Sequence, residues 1–236
     1  MVKIVFTPDW FLSGDIIIEI ISFMILLAFF VLATNYYRLN KKKSVLYLGI
    51  GFLLIAIGEA STIFTKLVLY YDTTITREIG RAIITSEIVR SVDIFYYIGF
   101  FFNKLFVLLG LYLIYKIPSD KKLSTDFFLI IYLLITTSLL SEDLYYIYNL
   151  TVLVLLGLII RNYYILYNKN KSKNTRTLLS AFIILAMAQI VFIFSEVNSF
   201  YVIAQILQLV SYIMLLVLMI NIQKNGTKEK QNRHLT

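Results

Sequence analysis

FLLIAIGEASTIFTK, residues 52–66, is apolar on both flanks of Glu59 and carries that carboxylate at its middle. Whether this stretch crosses a bilayer decides the fold, and what its glutamate does there decides how much can be said beyond the fold. A hydrocarbon core about 30 Å thick takes about 20 apolar residues as helix. The apolar run around Glu59 extends over residues 44–69, which is long enough.

The pattern recurs along the 236-residue chain, which is 59% hydrophobic and 15% charged, with a mean hydropathy of +0.80. Soluble domains average about 45–50% apolar and 25% charged. Seven segments qualify as spans: 15–37, 44–69, 92–116, 126–141, 144–161, 177–197 and 200–222. The expected fold class is therefore all-α, a polytopic membrane protein with seven transmembrane helices in one domain over residues 1–224 and a basic cytoplasmic tail over 225–236. The first segment has only Lys3 as a positive charge ahead of it and no small-residue cleavage site, so it is expected to remain as a helix rather than leave as a signal peptide. The absence of cysteine removes disulfides and thiolate chemistry. Abundant Lys, Ile, Asn and Tyr suggest an AT-rich, prokaryotic genome, and the cell membrane is the expected location.

Charge sets the expected orientation. Arg38, Lys41, Lys42 and Lys43 follow the first span, Lys116, Lys121 and Lys122 the third, Arg161, Lys169, Lys171, Lys173 and Arg176 the fifth, and Lys224, Lys228, Lys230 and Arg233 the last. Alternate connectors are thus basic, which places the N-terminus outside and the C-terminus in the cytoplasm. The net charge of +8 then reads as a cytoplasmic face suited to anionic lipid headgroups, and nucleic-acid binding is not needed to explain it. Trp10 fits an interfacial anchor, and most of the 18 tyrosines, with pairs at 36, 70, 96, 145 and 163, fit interfacial belts.

An internal repeat is legible. Residues 52–66 align without a gap on FIILAMAQIVFIFSE, residues 182–196: Phe52 meets Phe182, Ala56 meets Ala186, Glu59 meets Gln189, and Ile63 with Phe64 meet Ile193 with Phe194. Upstream, NYYRLNKKK (35–43) parallels NYYILYNKNK (162–171) with a small offset absorbed in the loop. Phe95 falls on Phe200 and Asn103 on Gln208. Spans one to three then correspond to spans five to seven, the fourth being a linker, in a parallel 3+1+3 plan.

That plan resembles the SWEET-type sugar facilitators, the helix count and orientation resemble opsins, and YYRLNKKKSVLYLGIGF (36–52) is similar to seven-helix sensor regions of prokaryotic membrane kinases. The SWEET-type resemblance implies a small-solute carrier, but Pro8 and Pro118, the two prolines, lie outside the spans, so the family's Pro-Gln signature is missing. The opsin resemblance implies a retinal Schiff base, but the seventh span, FYVIAQILQLVSYIMLLVLMI, has no lysine.

Enzyme chemistry finds few candidates. His234 is the only histidine and sits in the tail, so haem ligation and zinc proteolysis lack ligands, and a serine nucleophile lacks its usual base. The chain is expected to be non-enzymatic, without metal or cofactor.

A polar layer is the remaining candidate. By helical rise Glu59 lies about 22 Å, and Lys104 about 18 Å, from the cytoplasmic ends of adjacent antiparallel spans, so the two are expected to pair. A lone charge near the bilayer centre costs roughly 2.5–3.5 kcal/mol. Candidate pocket residues are Glu59 and Thr62 on the second span, Asp93, Tyr97, Asn103 and Lys104 on the third, Gln189 on the sixth, and Gln205 and Gln208 on the seventh; Lys66, Tyr201 and Tyr212 fall on the same helical stripes but are not among the candidates. Glu19 and Glu196 are expected to be solvated and Lys66 to snorkel outward. Glu142 and Asp143, between two short spans, could floor an outward dimple, and only Asp120, Asp126 and Glu229 of the 14 acidic residues fall on the cytoplasmic side. Structural glue between helices, a pocket for a small ligand or ion, and a proton relay all stay open. Dry inner halves such as LLAFFVLA and VLLGLYLI favour a sensor-like or accessory module, working with a separate effector protein, over a SWEET-like transporter.

Overall fold

The computed structural model describes the backbone of residues 7–70, 91–117, 130, 133–138, 145–195 and 198–233. A 3₁₀ turn, Asp9–Phe11, leads into α1 (Leu12–Asn40), followed by α2 (Lys43–Tyr70), α3 (Ser91–Lys116), α4 (Tyr145–Asn170), α5 (Lys173–Ile193) and α6 (Asn198–Arg233). All six are long and apolar enough to cross a membrane. Of the seven expected spans, six are thus seen among the described residues; of the fourth, 126–141, only 130 and 133–138 are described, and they are helical. The SED turn, residues 71–90, Glu196 and His234 lie outside the described residues.

The basic connectors end helices by a shared device. Lys41 closes α1 in the left-handed region (φ 55°), its N–H donating to Tyr37 O at 2.8 Å. Lys171 closes α4 in the same way (φ 44°), its N–H donating to Tyr167 O at 2.7 Å. The left-handed residue satisfies a carbonyl of the last turn, and its positive side chain stands at the negative helix end. Two residues later α2 and α5 begin. Because the matched caps are Lys41 and Lys171, the two loops share the register of Phe52 and Phe182, and the offset expected in the loop is absent.

Other ends move too. The span expected over 144–161 continues to Asn170, α5 starts at Lys173 rather than 177, and α6 runs through Lys224 to Arg233, so most of the expected tail is helical. Lys and Arg are good helix formers whose stems lie along apolar surface, so a first charge does not stop a helix.

Packing follows small residues. α2 and α3 approach closely where a side chain on Gly110 would place its Cβ 2.5 Å from Gly51 O, and one on Gly51 would lie 2.6 Å from Ile114 Cγ1. Helices meet sequentially, α1 on α2, α2 on α3, α3 on α4, α4 on α5 and α5 on α6, and α6 returns to α1, closing the bundle. Its interior is aromatic at the centre: Phe52 stacks on Phe182 at 6.4 Å and meets Phe29 edge-on at 4.6 Å. Leu108, Leu111, Ile114, Leu156, Ile159, Leu215 and Met219 fill the rest. Val31, Phe64, Val154, Met187 and Val217 are exposed on the outside, a surface that suits lipid.

Candidate functional site: a buried charge cluster

The start of α1 carries Asp15, Glu19 and Ser22 at i, i+4 and i+7, in line with Leu26, Phe29, Ala33 and Tyr36, and all of these are buried. One helical stripe therefore changes from apolar to acidic over its first two turns. α2 runs antiparallel, which brings Lys66, near its C-terminal end, to the same level. α6 starts there as well and contributes Tyr201 and Gln205.

These five side chains form one network. Lys66 Nζ donates to Asp15 Oδ2 at 2.7 Å, to Glu19 Oε1, and to Tyr201 Oη at 3.0 Å. Tyr201 donates to Asp15 Oδ1 at 2.8 Å, and Gln205 Nε2 donates to the same oxygen at 3.3 Å and to Tyr201 Oη at 3.0 Å. Thr7 Oγ1, ahead of α1, donates to Asp15 Oδ2 at 2.9 Å. Lys66 is only 3% exposed and Asp15 is fully enclosed. Ammonium and carboxylates out of water are tolerable only when such donors and acceptors surround them.

Glu59 lies about two turns deeper along α2. Its Oε1 accepts from Gln208 Nε2 at 2.9 Å and from Tyr212 Oη at 3.4 Å, and Gln208 also donates to Tyr212 at 3.1 Å. Beneath this level the buried residues of α1, α3 and α6 are apolar apart from Ser211 and tyrosine hydroxyls: Leu26, Phe29, Leu108, Leu111, Leu215 and Leu218.

Three expectations change. Glu59 takes its hydrogen bonds from α6 rather than from Lys104, and the ion pairs between described residues both belong to Lys66. Lys66 does not snorkel, because two carboxylates on α1 hold its ammonium inside. Glu19 is enclosed, 4% exposed, rather than solvated. The candidates Thr62, Lys104 and Gln189 are buried, Thr62 bonding back to Gly58 O at 3.5 Å, and Asn103 is half-buried beside Gly58. The side chains of Asp93 and Tyr97 lie outside the described residues. Gln205 joins the Lys66 network and Gln208 the Glu59 group. Sequence reasoning missed Asp15 and Glu19, although their spacing with Ser22 and Leu26 was a visible signal.

No protein family, no curated protein and no solved structure matches this chain. The SWEET-type, opsin-like and kinase-sensor resemblances accordingly gain no support beyond shared helical membrane architecture.

Proposed function

We propose that the chain is a non-enzymatic, receptor-like module of the cell membrane whose charged layer, at the outward end, is the seat of a small ligand or ion. The observation that carries this reading is the enclosed network of Asp15, Glu19, Lys66, Tyr201 and Gln205, which joins three helices at one end of the bundle. Pure structural glue would favour neutral partners, since each buried ion needs several kcal/mol of compensation. The apolar plug below suits recognition from one side. The basic connectors after α1 and α4 support a cytoplasmic opposite face that meets anionic headgroups, where a separate effector protein would take up a signal.

The test is a thermal-shift screen in nanodiscs with monovalent cations, primary amines, amino acids and sugars across pH. A reproducible stabilisation that disappears in Asp15→Asn supports the reading, and none across the panel argues against it.

A second reading, a small-solute transporter of 3+1+3 plan, is favoured by the signs of duplication. The caps at Lys41 and Lys171 coincide, and in that same register Gly51, Gly58 and Thr65 fall on Ala181, Ala188 and Ser195, small residues at heptad spacing. Ser211 donates to Ala181 O at 2.8 Å, and in this register Ala181 corresponds to Gly51, which Gly110 approaches. That match pairs Lys104 with Gln205 rather than Asn103 with Gln208. Uptake into proteoliposomes, lost in Glu59→Gln, would decide for transport.

A further inference from the structure

The carboxylates of the layer are unequally served. Asp15 receives Thr7 and Lys66 at Oδ2 and Tyr201 and Gln205 at Oδ1. Glu59 receives Gln208 and Tyr212 at Oε1. Glu19 gives Oε1 to Lys66, while its Oε2 is fully enclosed and accepts nothing from the described residues.

We propose that Glu19 binds one exchangeable proton, which makes the hydrogen ion the ligand of this cluster. A buried ionised carboxylate is held by donors on both oxygens, and leaving one without a donor forfeits that compensation. The charged and titratable groups around Glu19 are Asp15 on its own helix, Lys66 and, deeper, Glu59 on α2, and Tyr201 on α6; Gln205 and Thr7 are neutral neighbours through Asp15, and Gln208 and Tyr212 lie at Glu59. Lys104, on α3, which also packs against α2, is buried as well. Among the described side chains of this layer, three carboxylates thus stand against two ammonium groups. A proton taken from bulk water forms an O–H bond at Oε2, leaves Oε1 accepting from Lys66, and reduces the core of the cluster to the balanced pair of Asp15 and Lys66. Its release restores a second negative charge at the α1–α2 seam and weakens the hold of α1 on α2 and α6. Proton occupancy would then be the signal that such a receptor reads.

This inference rests on the reading of the layer as a binding seat and names its ion. The experiment is infrared spectroscopy of the full chain in nanodiscs, with and without carboxyl-labelled glutamate. The expected result is a protonated-carboxyl carbonyl band at neutral pH that shifts with glutamate labelling, is absent from Glu19→Gln and persists in Glu59→Gln. Absence of the band from the wild type, its survival in Glu19→Gln, or its loss on adding sodium or potassium chloride at constant pH would overturn the proposal. Should Glu19→Gln fail to fold, the labelled wild type decides alone: a band that ignores glutamate labelling overturns it. Ligand-induced stabilisation in the thermal-shift screen, found together with a missing band, would leave the receptor reading standing without the proton.

Discussion

The ammonium of Lys66 sits between two carboxylates from another helix and the hydroxyl of a third, all out of water. Lys66→Met would leave the buried carboxylate of Asp15 without its ammonium, and removing one partner of a buried pair costs about 3–5 kcal/mol. Tyr201→Phe deletes only a hydroxyl bonded to charged groups, worth about 1.5–3 kcal/mol. Thermal unfolding in nanodiscs should therefore rank Lys66→Met well below Tyr201→Phe, and equal losses would show that the ammonium is not held as described. Part of this site was readable in the sequence. Glu59, Gln205, Gln208 and Tyr212 declare themselves by helical spacing in segments whose interior position is clear. Lys66, Asp15 and Glu19 did not, because each lies within a few turns of a helix end, where water is ordinarily within reach of a long side chain. What encloses them is the joint placement of α1, α2 and α6, a tertiary fact that no single span contains.

Helix contacts give predictions of opposite sign for the same residue type. Gly110 faces the backbone of Gly51, so Gly110→Leu must force α2 from α3, at about 1–3 kcal/mol for overpacking. Gly157 on α4 has open space where a Cβ would go, so Gly157→Ala should be neutral or stabilise by up to about 1 kcal/mol. Denaturation of the two variants in detergent checks both. The left-handed caps give a matched pair: Lys41→Gly and Lys171→Gly should each stabilise by up to about 1 kcal/mol, because glycine adopts this conformation without the Cβ penalty. Unequal effects from the two sites would argue against equivalent loops. Hydrophobic length located the six described spans well, since a run of apolar residues needs no tertiary partner to be recognised. Helix ends were misjudged at Asn170, Lys173 and Arg233, where charged residues continue the helix along an interface.

The whole bundle sets apolar flanks towards lipid, an aromatic centre at Phe29, Phe52 and Phe182, and a charged layer where α1 and α6 begin. The alternation of basic connectors predicts that this layer faces outward, so a fluorescent protein fused after Thr236 should light up in the cytoplasm and a periplasmic phosphatase fused there should stay inactive. The reverse pattern would turn the charged layer inward and remove the case for an external ligand. The charged layer stands on the bond between α1 and α2 inside the bundle, and a double-mutant cycle on Glu19 and Lys66 measures it directly. Unfolding free energies of Glu19→Gln, Lys66→Met and the double variant in nanodiscs should be strongly non-additive, the double variant recovering about 1–3 kcal/mol of the sum of the single losses. Additive losses would mean that the two side chains do not meet, and the buried cluster would be wrong.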